Sequence, residues 1–147
     1  MKRIRRVLCA SDLSPASRRA FETALAIAKS LDARLTIQYV LASVVLVPEQ
    51  YLDALTMDQL DKQARQWSTR QLDKLATRAR NAGVRASVLL SDGDAADQIV
   101  RACRSTKSDL IVVGTHGRRG LPKFLLGSVA ARVVATAPCP VVTVRGT

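Results

Sequence analysis

Gly114-Thr115-His116-Gly117, nine further residues, then Gly127-Ser128 place three glycines and the Ser128 hydroxyl between an apolar run and a helical one. The chemistry this spacing suits is anion recognition. Asp109-Leu110-Ile111-Val112-Val113 before it is a continuous apolar run, of the kind buried on both faces of a parallel sheet. The loop therefore opens at a strand's carboxyl end, where open α/β sheets bind ligands. Ser128-Val129-Ala130-Ala131-Arg132-Val133-Val134-Ala135 after it reads as a helix, whose first amides have no partner in the helix and point at an anion. Glycine lets the backbone approach that anion closely. Two other phosphate loops are absent: G-x4-G-K-[ST] occurs nowhere, and G-x-G-x-x-G does not follow the first strand.

A second cluster, Ala10-Ser11-Asp12-Leu13-Ser14, ends the first strand. Asp12 reads either as a structural turn residue or as a ligand acceptor. Ser14 before Pro15 already occupies the helix-cap position, which leaves the Asp12 carboxylate to accept hydrogen bonds. Nothing here composes a catalytic machine. There is no Walker-type Asp/Ser pair for magnesium, no nucleophile elbow and no carboxylate dyad that spacing brings together. His116, the one histidine, has no orienting carboxylate in the sequence and reads as a phosphate-side contact rather than a general base. Arg118 and Arg119 read equally as counter-charges for outer phosphates and as solvated side chains. No metal-ligand cluster is expected, and any magnesium is held by phosphate oxygens and Ser128.

Positioning these groups requires alternating strands and helices. Strands are predicted at Arg5–Ala10, Arg34–Val40, Val84–Leu90, Asp109–Val113 and Pro140–Val144. A helix runs from the Ser14-Pro15 start to about Leu31, with Ala20, Phe21, Ala24, Leu25, Ala28 and Leu31 on its apolar face. A longer one spans Asp53–Ala82, with Leu60, Ala64, Trp67, Leu75, Ala79 and Ala82 as its stripe and Gly83 as its C-terminal stop. A third covers Asp94–Lys107. The stretch Leu41–Leu52 has no regular period, is broken by Pro48, and is placed as a segment covering the site. Repeated βα units with no linker or repeat build one parallel sheet with helices on both faces, so residues 1–147 are expected to be one domain.

Composition narrows the function classes. At 147 residues and 48% hydrophobic, the chain supports a real core without staples. Its aromatics, Phe21, Tyr39, Tyr51, Trp67 and Phe124, are too dispersed to interleave with basic residues as single-strand binders require. The net charge of +11 invites a nucleic-acid reading, but the lysines and arginines are spread over strand flanks and helix faces, which argues against it. No apolar run reaches the roughly 18 residues that cross a bilayer, and no secretory segment precedes the first strand, so a cytoplasmic location is expected. Cys9, Cys103 and Cys139 are odd in number and lack a C-x-x-C pair, as reduced thiols would be. Cys9 reads as core, and Cys139, between two prolines, as a packing residue with more access to solvent.

The spacing G-x2-G-x9-G-S, together with the segment around Asp12, resembles the nucleotide-binding branch of the universal stress protein family along nearly the whole chain. The resemblance implies a Rossmann-like sheet, of the kind found in adenine nucleotide alpha hydrolases, in strand order 3-2-1-4-5 with its crevice between strands one and four. It implies that Asp12 contacts the adenine and ribose side of ATP or another adenine nucleotide, with Ala10, Ser11 and Val40 against the base. Val113, Gly114, His116 and Gly117 would follow the ribose and phosphates, and Gly127, Ser128 and Val129 would cradle the phosphates. It further implies a homodimer through the last strand and a sensor or regulator that works through ligand-dependent shape and partner binding. A slow ATP hydrolase and a basic partner-binding protein with a vestigial site are the alternatives.

Overall fold

The chain's computed structural model describes residues 2–42, 54–115 and 126–146. Five apolar runs form strands: β1 (Arg6–Ala10), β2 (Arg34–Leu41), β3 (Ala86–Asp92), β4 (Leu110–Gly114) and β5 (Val141–Val144). They pair in parallel in the order β3-β2-β1-β4-β5, with Val7 opposite both Leu35 and Leu110. Among the described residues four α-helices accompany them: α1 (Arg18–Leu31), α2 (Ala54–Asn81), α3 (Ala95–Ser105) and α4 (Ser128–Thr136).

The alternation of side chains along a strand divides the core into two layers. Val7, Cys9, Leu35, Ile37 and Val112 face α1 and α2, where Phe21, Ala24, Leu72, Ala76 and Ala79 meet them. Leu8, Ala10, Ile111 and Val113 face α3 and α4, against Ile99, Cys103, Ala130 and Val133. The small residues on the helices let them lie close to the sheet, in a core built mainly of aliphatic side chains and alanine.

Several boundaries differ from the sequence expectations. Pro15–Ser17 form a short 3-10 turn before α1, and the Ser14 hydroxyl makes no capping bond because it donates to Asp12. Leu31 points outward, 41% exposed. The buried stripe of α2 is Ser68, Leu72, Ala76 and Ala79, whereas Leu60 and Trp67 are 50% and 41% exposed. None of residues 55–67 is buried, so among the described residues the first half of α2 adds nothing to the buried core. Ser68 satisfies its buried hydroxyl by donating to the Ala64 carbonyl at 2.6 Å.

Three helices end in the same closure, each with a residue of positive φ just beyond the last turn. In α1, Asp32 has φ 51° and the amide of Ala33 returns to the Ala28 carbonyl. In α2, Gly83 has φ 89° and Val84 returns to Ala79. In α3, Lys107 has φ 53° and Ser108 returns to Cys103. These Schellman closures satisfy terminal carbonyls. They use Val84 and Lys107 as helix-closing residues, so β3 begins at Ala86 and α3 stops at Ser105. The Asp109 carboxylate joins the chain's start to β4 by accepting the Arg5 and Arg6 amides at 2.9 and 3.0 Å.

Candidate functional site

The carboxyl ends of β1 and β4 lie side by side at the middle of the sheet, and the chain turns away from it in opposite directions at that point: β1 leads into α1 on one face, β4 toward α4 on the other. This divergence opens a cavity of about 470 Å³, within the range that holds small ligands. Ala10, Ser11 and Asp12 form its β1 side, Val40 its β2 side, Val113 and Gly114 its β4 side, and Gly127, Ser128 and Val129 its α4 end. Nine of the residues predicted from sequence are thus gathered around one space. His116 and Gly117, together with Arg118, Arg119 and most of the Leu41–Leu52 segment, lie outside the described residues.

The turn after β1 is held by its own side chains. The Ser11 hydroxyl accepts the Leu13 amide at 3.0 Å and pairs with the Ser17 hydroxyl at 3.0 Å. Asp12 Oδ1 accepts the Ser14 amide at 2.9 Å and the Ser14 hydroxyl. Asp12 therefore makes the turn as well as reaching the cavity, and the expectation that Ser14 relieves it of structural duty is corrected. Leu13 adopts φ 61° between them, a left-handed conformation that costs a leucine of order 1–2 kcal/mol. The two anchored side chains on either side maintain it.

At the other end, the Thr115 amide donates to the Val144 carbonyl at 2.9 Å, and the Gly127 amide donates to the Thr115 carbonyl at 2.7 Å. Residues 115 and 127 are thereby clasped to each other and to β5. The first bond of the α4 ladder runs from the Ala131 amide to the Gly127 carbonyl at 2.9 Å. The amides of Ser128, Val129 and Ala130 precede that ladder at the cavity's edge, together with the positive end of the helix dipole. No lysine or arginine lines the cavity among the described residues, and Asp12 is the one carboxylate there. An anion at α4 would be held by backbone amides and the Ser128 hydroxyl; a divalent cation would need ligand oxygens.

Sequence reasoning missed part of the lining. Gln38 is 1% exposed at the cavity floor; its Nε2 donates to the Ser91 hydroxyl at 3.0 Å and the Gln98 carbonyl at 3.1 Å, while Oε1 is buried with no hydrogen-bond partner among the described residues. A glutamine between Ile37 and Tyr39-Val40-Leu41, in a strand paired on both edges, was the available signal. Ala95 and Ile99 of α3 add an apolar wall. That wall is tied to α4 by Arg132, whose guanidinium donates to both Asp94 oxygens at 3.0 Å and to Asp97 at 3.0 Å. The Asp97 amide, then Arg132, holds the Asp94 carboxyl below its usual range.

The model of the universal stress protein family matches residues 3–145, which takes in every strand and helix described above. The chain belongs to the universal stress protein family. Universal stress protein YxiE of Bacillus subtilis is 30% identical over 150 residues, spanning 95% of this chain and 98% of that protein. The structure of universal stress protein UspA from Lactobacillus plantarum covers 99% of this chain and 100% of its own, with 29% identity and a TM-score of 0.76. A universal stress protein crystallised in complex with cAMP covers 99% and 100% respectively, at 25% identity and a TM-score of 0.71. The strand order 3-2-1-4-5 implied by the family resemblance is the order of this sheet. Among the described residues of this family member, no helix is long and apolar enough to cross a membrane.

Proposed function

We propose that the β1–β4 cavity binds an adenine nucleotide, ATP being the expected form, and that occupancy changes the protein's shape or its partners during stress or growth arrest. The observation that carries this reading is the meeting of an apolar cleft with the unladdered amides of α4. The apolar part, made by Ala10, Val40, Ile99 and Val113, suits a base. The Asp12 carboxylate, an acceptor held in the turn at the cavity's β1 side, is the group suited to a ribose hydroxyl. The phosphates lie along Gly114 toward Gly127, Ser128 and Val129. The cAMP complex of a relative supports the ligand class.

Magnesium, if it accompanies the nucleotide, is held by phosphate oxygens and Ser128, because one carboxylate engaged in a turn does not make a metal site. The reading is of a binding and signalling protein in the cytoplasm, acting as one domain. Dimerisation through β5 goes with it. This strand is at the sheet's edge, and Val142 and Val144 are only half-buried there. The test is acid release of nucleotide from purified protein, followed by calorimetric titration of the emptied protein with Mg-ATP, ADP, AMP and cAMP. Saturable binding of an adenine nucleotide is the expected result. No released nucleotide and no heat with any of the four would reject it.

A further inference from the structure

Cys103 near the end of α3 and Cys139 at the entry to β5 bring their sulfurs to 3.2 Å, although 36 residues separate them in sequence. We propose that this pair is a peroxide-responsive dithiol, closing reversibly to an intramolecular disulfide that staples α3 to the start of β5. The proposal is independent of what the cavity binds.

The juxtaposition is built by the frame. The Cys103 carbonyl accepts the Ser108 amide at 2.9 Å in the α3 closure, and on the other side the Pro140 carbonyl accepts the Ile111 amide at 3.0 Å. Pro138 and Pro140 fix the backbone on either side of Cys139. A disulfide bond is about 2.05 Å long, so the sulfurs need to approach by about 1.1 Å to bond. The two thiols differ in access. Cys103 is 1% exposed and Cys139 is half-buried, so peroxide meets Cys139 first. Burial, then the neighbouring Cys139 sulfur, pushes the Cys103 thiol up, so it favours the protonated form. Cys9, fully buried in the other core layer with its thiol pushed up to about 12, takes no part.

The reaction balances with hydrogen peroxide as oxidant. The Cys139 thiolate attacks one peroxide oxygen, the O–O bond breaks, and hydroxide leaves to take the released proton as water, giving a sulfenic acid. The Cys103 sulfur then attacks the Cys139 sulfur. The S–S bond forms as the S–OH bond breaks, and the departing hydroxide takes the Cys103 proton as a second water. A dithiol reductant reverses the change. The resulting ring encloses β4, the glycine-bearing connection and α4, the whole unit that carries Gly114 and Gly127.

The test treats the full chain with hydrogen peroxide, blocks remaining thiols by alkylation, and measures intact mass and non-reduced peptides. The expected product is a single chain lighter by two hydrogens, with Cys103 and Cys139 peptides joined, Cys9 reduced, and full reversal by dithiothreitol. In Cys103→Ser, Cys139 should be trapped by dimedone as sulfenic acid, which the wild type should not accumulate. Free thiols at both positions after exposure, Cys139 oxidised to sulfinic acid while Cys103 stays reduced, or cross-links only between chains would each overturn the proposal. The wild-type measurement stands even if the serine variant fails to fold.

Discussion

Replacing Gly127 by aspartate separates the residue's place in the fold from the anion-binding role proposed for the cavity. Gly127 has φ −57° and ψ 153° and precedes the first residue of α4. That conformation is open to any L-residue, and aspartate is a preferred residue at a helix N-cap. The gain over glycine there is a few tenths of a kcal/mol, and a negative charge at the helix start adds about 0.3–1 kcal/mol. The empty Gly127→Asp protein should therefore melt at or slightly above the wild-type temperature. Toward a phosphate the effect reverses. A carboxylate about 4 Å from a phosphate charge, at an effective dielectric of about 20, is repelled by about 4 kcal/mol, which is roughly a thousandfold in affinity. Thermal denaturation without nucleotide and calorimetric titration with Mg-ATP read the two effects separately. Gly127→Ala, which adds bulk without charge, should lose much less. A Gly127→Asp protein that melts normally and binds Mg-ATP within tenfold of wild type would refute the assignment of α4 as the phosphate site.

Three further outcomes are expected. Leu72→Ala should cost about 3 kcal/mol in urea denaturation because Leu72 is 1% exposed in the α2 stripe, whereas Trp67→Gln should stay within about 0.5 kcal/mol because Trp67 is 41% exposed; equal effects would show the helix to be wrongly phased. Lys107→Gly should raise stability by about 0.5–1 kcal/mol, since φ 53° is unfavourable for lysine and natural for glycine, and a fall in melting temperature would count against that closure. Asp109 is half of a pH-dependent tie: burial alone would raise its carboxyl, but the Arg5 and Arg6 amides and Lys2 hold it below the usual range. A group lowered in this way contributes stability above its unfolded value of about 3.9 and loses it as pH falls through the folded value. The stability gap between wild type and Asp109→Asn should therefore shrink on acidification, and a gap that is constant with pH would reject the tie.

The sheet and its site were legible in sequence where a residue's neighbours are local or where glycine marks a turn. β1 and β4 are unbroken apolar runs because each is covered on both faces, and Gly127 before Ser128 marked the start of α4 to the residue. The phase of α2 was not legible. Leu60 and Trp67 carry a helical period, but among the described residues the buried positions of the helix begin at Ser68, and a hydrophobic pattern does not reveal where the surface opposite it ends. The ends of α3 and the start of β3 were missed for a related reason, because closures that use Lys107 and Val84 look like continuing helix or strand until the returning amides are seen. Gln38 and the Cys103–Cys139 pair depend on which strands and helices become neighbours, and pairwise contact across 36 or more residues leaves no local trace.

Because β1 is the middle strand, its first residues must wait for the last third of the chain. Val7 pairs with Leu35 early, but its other edge meets only Leu110, and the clasp of Gly127 onto Thr115 comes later still. On the ribosome, the unit of β1, α1 and β2 emerges with one edge of β1 unpaired and its α3-facing side, Leu8 and Ala10, uncovered. Closure over such sequence separations is slow relative to local folding. β4 and α4, which supply part of the cavity's walls, are synthesised after β1, α1 and β2, so the cavity is not enclosed until they have joined the sheet. A nascent chain halted before β4 exposes a bare edge of β1, open to pairing with another strand until β4 covers it.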